Sequence, residues 1–205
     1  MNTKEIVDYL SAYRGPEIKI MEVCGTHTAA IFKDGIRSLI SPKIRLISGP
    51  GCPVCVTPTA YIDKCIEYSL KKNHQLLTFG DMMKVTGSRG TLSDMKAKGA
   101  SVHIMYSPFE AITKAEADRK TTYVVAGVGF ETTAPAYGLM IQEAKKRGIE
   151  NIKLLTALKT VIPALTWICE QEGDIDAFLC PGHVSVIIGS DVYKQLAKKY
   201  GKPFV

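Results

Sequence analysis

The chain has 205 residues, 46% of them apolar and 22% charged, with a formal net charge of +6. That balance supports a hydrophobic core, argues against a disordered or fibrous chain, and leaves room for one large or two small domains. The basic residues are scattered. The densest cluster, Lys145-Lys146-Arg147, closes a predicted helix, where cations suit the dipole, so it does not read as a nucleic-acid patch. Residues 1–13 lack the charged start and apolar run of a signal peptide. No stretch approaches the roughly 18 consecutive apolar residues of a membrane helix. A cytoplasmic protein is expected, with neither membrane nor nucleic acid as partner. There, six cysteines point to metal or thiol chemistry before structural disulfides.

In chain order, β-branched and apolar runs predict strands at 18–23, 44–47, 75–79, 101–105, 123–126, 152–156 and 177–179. Helical periodicity predicts helices at 28–40, 58–72, 92–98, 108–118, 134–147, 163–171 and 191–199. Thr57-Pro58 reads as an N-cap followed by a proline at the first helical position, and Ser107-Pro108-Phe109-Glu110 as a capping box; Thr91-Leu92-Ser93-Asp94 is a weaker version. The alternation predicts an α/β protein: two similar domains of parallel β-sheet flanked by helices, with a cleft between them. The charged, threonine-rich stretch 115–122 is the candidate boundary, giving domains 1–119 and 120–205. Gly201-Lys202-Pro203-Phe204-Val205 reads as a helix stop and the opening of another strand, so the second domain is expected to be cut short at its end.

Four loops that follow predicted strands carry the candidate chemistry, at the sheet edge where open parallel sheets bind ligands. In Met21-Glu22-Val23-Cys24-Gly25-Thr26-His27-Thr28, a cysteine and a histidine three apart at a helix start can share a metal, or the helix end can activate the thiol. The bland alternative is a buried cysteine beside a capping histidine. In Gly49-Pro50-Gly51-Cys52-Pro53-Val54-Cys55-Val56-Thr57-Pro58, a C-x-x-C pair sits in a loop stiffened by prolines, able to close a disulfide or to hold one soft metal. Neither Cys65 nor Cys169 and Cys180 offers the second close pair of a four-cysteine zinc site. Gly127-Val128-Gly129-Phe130-Glu131 departs from the dinucleotide fingerprint, because Thr132 stands where the third glycine belongs. Glu131 is either a carboxylate facing the ligand or an ordinary helix-start glutamate. His183, after Cys180-Pro181-Gly182, and Asp81, after Phe79-Gly80, are candidate ligand contacts. Cys65, Cys169, His74 and His103 read as packing or surface residues.

Together these loops resemble the HypD family of nickel–iron hydrogenase maturation proteins. The matching stretches are MEVCGTHT (21–28), GPGCPVCVTP (49–58), TFGDMMKV (78–85), GFETTAP (129–135) and PGHVSVIIG (181–189). The resemblance implies a scaffold that helps assemble an iron atom carrying cyanide and carbon monoxide, working with a HypC-type chaperone and a HypE-type cyanide donor. It implies Cys24 as the iron ligand, Cys52 and Cys55 as a pair cycling between dithiol and disulfide, and His27 beside the metal-binding thiol. Glu131 is then a supporting catalytic group, and Asp81 and His183 are candidate contacts to the bound centre. The four-iron–four-sulfur cluster of the family's full-length proteins is expected to be missing from this chain. The family's usual V-P-G after the FGD loop is Val85-Thr86-Gly87 here. Two rival readings remain. A general thiol–disulfide oxidoreductase would have no use for Cys24, and a two-lobed small-ligand module would bind its ligand with every thiol alkylated.

Overall fold

A computed structural model describes residues 2–171 and 173–205. In chain order the elements are α1 (Thr3–Ser11), β1 (Ile18–Glu22), α2 (Gly25–Lys33), α3 (Ile36–Leu39) and β2 (Ile44–Ser48). Next come α4 (Thr59–Leu70), β3 (His74–Thr78), a 3₁₀ turn at Gly80–Lys84, β4 (Thr86–Gly87), β5 (Gly90–Thr91), α5 (Leu92–Ala97), β6 (Val102–Ile104), α6 (Glu110–Ala117), β7 (Thr122–Gly129), α7 (Ala134–Lys146) and β8 (Ile152–Leu158). The chain closes with α8 (Val161–Gln171), β9 (Ala177–Leu179), α9 (Gly182–Ile188) and α10 (Asp191–Tyr200). Among the described residues no helix is long and apolar enough to cross a membrane.

The chain forms two α/β units. The first comprises Met1–Cys52 and Thr160–Val205, the second Pro53–Lys159. This corrects the boundary expected at 119/120, which falls inside the second unit. There β3 pairs with β7 from His74↔Thr122 to Leu77↔Val125, so the two sides of that boundary share one sheet. The first unit is closed by strands far apart in sequence: β1 lies between β2 and β9, all parallel. The Lys19 amide donates to Asp176 at 2.7 Å, and the Lys19 ammonium pairs with Asp174, fixing the start of β9 beside β1. Phe204 adds a parallel bridge to Phe178, where the two rings stack at 4.7 Å, so the strand opening read at 201–205 is present.

The second unit is a four-stranded parallel sheet in the order β6-β3-β7-β8. Its strands alternate between two buried faces. Leu76, Val124, Ala126 and Val128 meet Ile62, Cys65 and Ile66 of α4 on one side. Leu77, Tyr123 and Val125 meet Ala111 and Ile112 of α6 and Tyr137 and Met140 of α7 on the other. Apolar residues on both faces are what a parallel sheet covered by crossover helices requires.

Three local expectations change. The helix expected over 28–40 starts earlier, at Gly25, and breaks at Gly35, whose φ of +61° lies in the left-handed region that glycine enters without steric cost. Thr57 does not cap α4: Pro58 occupies the cap, and the Thr57 hydroxyl donates to the Pro53 carbonyl at 2.8 Å. The capping box expected at Ser107 is distributed. The Glu110 carboxylate accepts from the Tyr106 and Ser107 amides while the Ser107 hydroxyl accepts from Phe109, whereas complete reciprocal boxes form at Thr91 and Asp94 and at Asn2 and Glu5.

Candidate functional site

In the first unit, β1, β2 and β9 run parallel and release their following loops at one sheet edge. Cys24 lies two residues past β1 as the N-cap of α2, with extended backbone (φ −150°, ψ 126°) and 8% exposure. Its side chain makes no capping bond, so the first-turn N–H groups of α2 stay free of a side-chain cap beside the sulfur. That end of a helix favours a thiolate or another anion. The Cys24 Sγ lies 2.9 Å from the Thr26 hydroxyl. His27 occupies the first turn, half-buried, with its Nδ1 buried and lacking a hydrogen-bond partner. It borders a pocket of about 390 Å³ walled by Ala30, Ile31, Ile36, Leu179, Cys180 and Val205.

The loop after β2 is seated on this turn. The Gly49 amide donates to the Glu22 carbonyl and the Gly51 amide to the Gly49 carbonyl, both at 2.8 Å. Gly51 is so close that a Cβ there would overlap backbone atoms of Val23 and Cys24, and a Cβ on Gly25 would stand 4.0 Å from that of Cys52. The sequence-predicted Cys24 and Cys52 are therefore brought together within the first unit. Half-buried Cys52 ends that unit, and exposed Cys55 follows three residues later in the turn that opens the second. Thr57 holds that turn through the Pro53 carbonyl. His183 is exposed in the first turn of α9, after β9.

In the second unit, Asp81 and Glu131 follow β3 and β7, adjacent strands at which the strand order reverses. Such a switch point is where open α/β sheets bind ligands. Asp81 is exposed and accepts from the Met82 amide at 2.8 Å. Glu131 is half-buried in the turn before α7 and so is not a first-turn helix residue. Among the described residues no three His, Cys, Asp or Glu side chains form a metal-holding group. A cysteine thiolate such as that of Cys24 is by its chemistry able to serve as one metal donor.

Cys65, His74 and His103, read as packing or surface residues, are placed accordingly, and Cys180 is buried as well. Cys65 is fully buried, and burial pushes its thiol up to about 12; burial likewise pushes Cys180 up to about 11. His103 pairs with Glu110 at 3.0 Å, and His74 stacks on Tyr68 at 6.1 Å. Because the thiolate is the nucleophile, alkylation near pH 8 should label Cys55 first and Cys65 last, the latter with a thiolate fraction of only about 10⁻⁴. Peptide mapping of a timed iodoacetamide reaction checks this order. Labelling of Cys65 as fast as Cys55 would contradict the burial described here.

Four contributors were not singled out in the sequence. Glu22 is fully buried at the end of β1, and one of its carboxylate oxygens accepts from the Thr28 hydroxyl at 2.6 Å. Thr26 touches the thiol, and Gly51 allows the close approach of the two loops. The one sequence signal for them is a glutamate ending an otherwise core-facing strand.

The fold and this edge define an α/β protein that presents cysteine thiols from converging loops after parallel strands. The family model described as "Hydrogenase formation hypA family", with the short name HypD, matches residues 2–205, and the chain belongs to this HypD family. It is 43% identical over 203 residues to "Hydrogenase maturation factor HypD" of Escherichia coli (strain K12), covering 98% of this chain and 54% of the relative. The identity is 41% over 201 residues to the protein of the same name from Rhodobacter capsulatus (98% and 53%), and 39% over 196 residues to that from Azotobacter vinelandii (92% and 52%). The chain thus spans about half the length of the curated relatives it matches.

Proposed function

We propose that this chain is a hydrogenase maturation factor that works in the cytoplasm as a thiol scaffold. Cys24 holds iron as cargo while cyanide and carbon monoxide are installed on it. A HypC-type chaperone completes the coordination and a HypE-type protein delivers cyanide. A soft thiolate suits iron bearing such ligands better than an all-oxygen site would. His27 supports the metal-binding thiol, and Glu131, Asp81 and His183 are candidate contacts for the groups delivered. On this reading residues 1–205 hold no four-iron–four-sulfur cluster of their own.

The observation that carries the proposal is the seating of the 49–52 loop on Cys24, which puts a second thiol-bearing loop directly against the first. A general oxidoreductase has no need of that arrangement. Cys52 and Cys55 serve as the redox pair: thiol–disulfide exchange with an oxidised dithiol closes their disulfide and passes two electrons and two protons to that partner, whose reduced form restores both thiols by the reverse exchange. Equilibrating the chain across a series of oxidised and reduced dithiothreitol ratios, then mapping the products by mass spectrometry, should show a reversible Cys52–Cys55 disulfide. If that pair never closes while Cys65 or Cys169 does, the redox assignment is wrong.

A further inference from the structure

Glu22 is 0% exposed, and only one of its carboxylate oxygens is accounted for. Oε1 accepts from Thr28, while Oε2 is buried without a hydrogen-bond partner. A buried carboxylate oxygen lacking a donor is costly, and native structures rarely leave one without a reason. The surroundings point to the reason. Val23 continues the ladder of β1 by donating to the Leu179 carbonyl at 3.1 Å, and Cys24 is still extended. Residues two apart in an extended segment project to the same face, so Glu22 and Cys24 lie on one side of β1. Thr28 ties them further: its hydroxyl binds Glu22, and its amide donates to the Cys24 carbonyl at 3.1 Å. A buried carboxyl group is thus tied beside the cysteine, and among the described residues one of its oxygens has no hydrogen-bond partner.

We propose that Glu22 is the buried counter-charge for a divalent metal ion held at Cys24. Its carboxylate contributes fixed negative charge behind the thiolate, so the edge attracts a cation although this chain brings few donors to it. This rests on the reading of Cys24 as the metal ligand and adds a residue that favours a cation there. Buried charges act strongly because little water screens them.

The test uses cobalt(II) alone as an anaerobic probe, read by the thiolate-to-cobalt absorption in the wild-type chain and in Cys24→Ser, Glu22→Gln and Thr28→Val. Glu22→Gln keeps an acceptor for Thr28 and removes the charge. It should weaken cobalt binding about 10–100-fold, as loss of an outer partner of a metal ligand does, with no change in melting temperature. Thr28→Val removes the tether and keeps the charge, and should bind within about 3-fold of wild type. If Glu22→Gln does not fold, Glu22→Asp and Glu22→Asn replace it. Both are too short to hold Thr28 in the same way and they differ in charge, so Asp should retain binding and Asn lose it. Wild-type affinity in folded Glu22→Gln, or equal losses in Glu22→Gln and Thr28→Val, would overturn the counter-charge. Absence of any Cys24-dependent band in the wild-type chain, also after a HypC-type chaperone is added to complete the coordination, would instead overturn the metal-ligand reading itself, and this proposal with it.

Discussion

Replacing Gly51 by alanine is expected to destabilise the chain and to open the Cys24 turn. A Cβ at this position meets the backbone of Val23 and Cys24, which no side-chain rotation can relieve, so the loop after β2 must lift away. Overpacking of this kind costs about 1–3 kcal/mol, or roughly 2–12 °C in melting temperature for a chain of this size. Cys24, 8% exposed in the intact structure, should then be alkylated several-fold faster. Gly138→Ala is the matched control. It lies within α7 with no atom within 4 Å of an added Cβ, and alanine there should stabilise by about 0.5–1 kcal/mol. If Gly51→Ala melts like wild type and leaves Cys24 protected, the seating of the loop on the turn is wrong.

Replacing Cys24 by alanine should abolish hydrogenase maturation in cells while leaving the fold intact. Cys24 caps α2 without a side-chain bond to its backbone, so removal of the sulfur costs packing and its contact with the Thr26 hydroxyl. The loss should be about 1 kcal/mol, well below the ~2–5 kcal/mol of a buried Leu→Ala. His27→Ala should reduce maturation by about 10–100-fold without eliminating it, as expected for a group that supports a ligand. Hydrogenase activity in cells carrying each variant, beside a melt of the purified protein, separates chemistry from stability. Normal maturation with Cys24→Ala would remove this residue from the mechanism.

Much of the architecture was legible because it is written in local pattern. The strands at 18–22, 44–48, 74–78 and 177–179 fall within a residue of their expected positions, since apolar runs between turn residues leave little choice. The interleaving of the units was not legible. It depends on β9 pairing with β1, as in Ile20↔Ala177, and on β7 pairing across the charged stretch that looked like a linker. Such pairings are set by long-range packing rather than by neighbouring residues. The first helix, α1, escaped notice although Ile6, Val7 and Leu10 form an apolar stripe behind an Asn2–Glu5 capping box; its nine residues are short, none is fully buried, and the stretch reads as mere alternation of polar and apolar residues. At the site, the cysteine loops announced themselves by spacing. Glu22 did not, because its significance lies in complete burial and in an oxygen without a donor, neither of which a sequence displays.

The most direct test of the central claim is infrared spectroscopy of this chain, or of a longer protein containing it, co-purified anaerobically with a HypC-type chaperone. Wild type should carry iron and show both cyanide and carbonyl stretching bands, and folded Cys24→Ala should show neither. Bands that persist in Cys24→Ala, or a wild-type complex that never acquires them, would contradict the assignment of Cys24 as the thiol on which the iron centre is built.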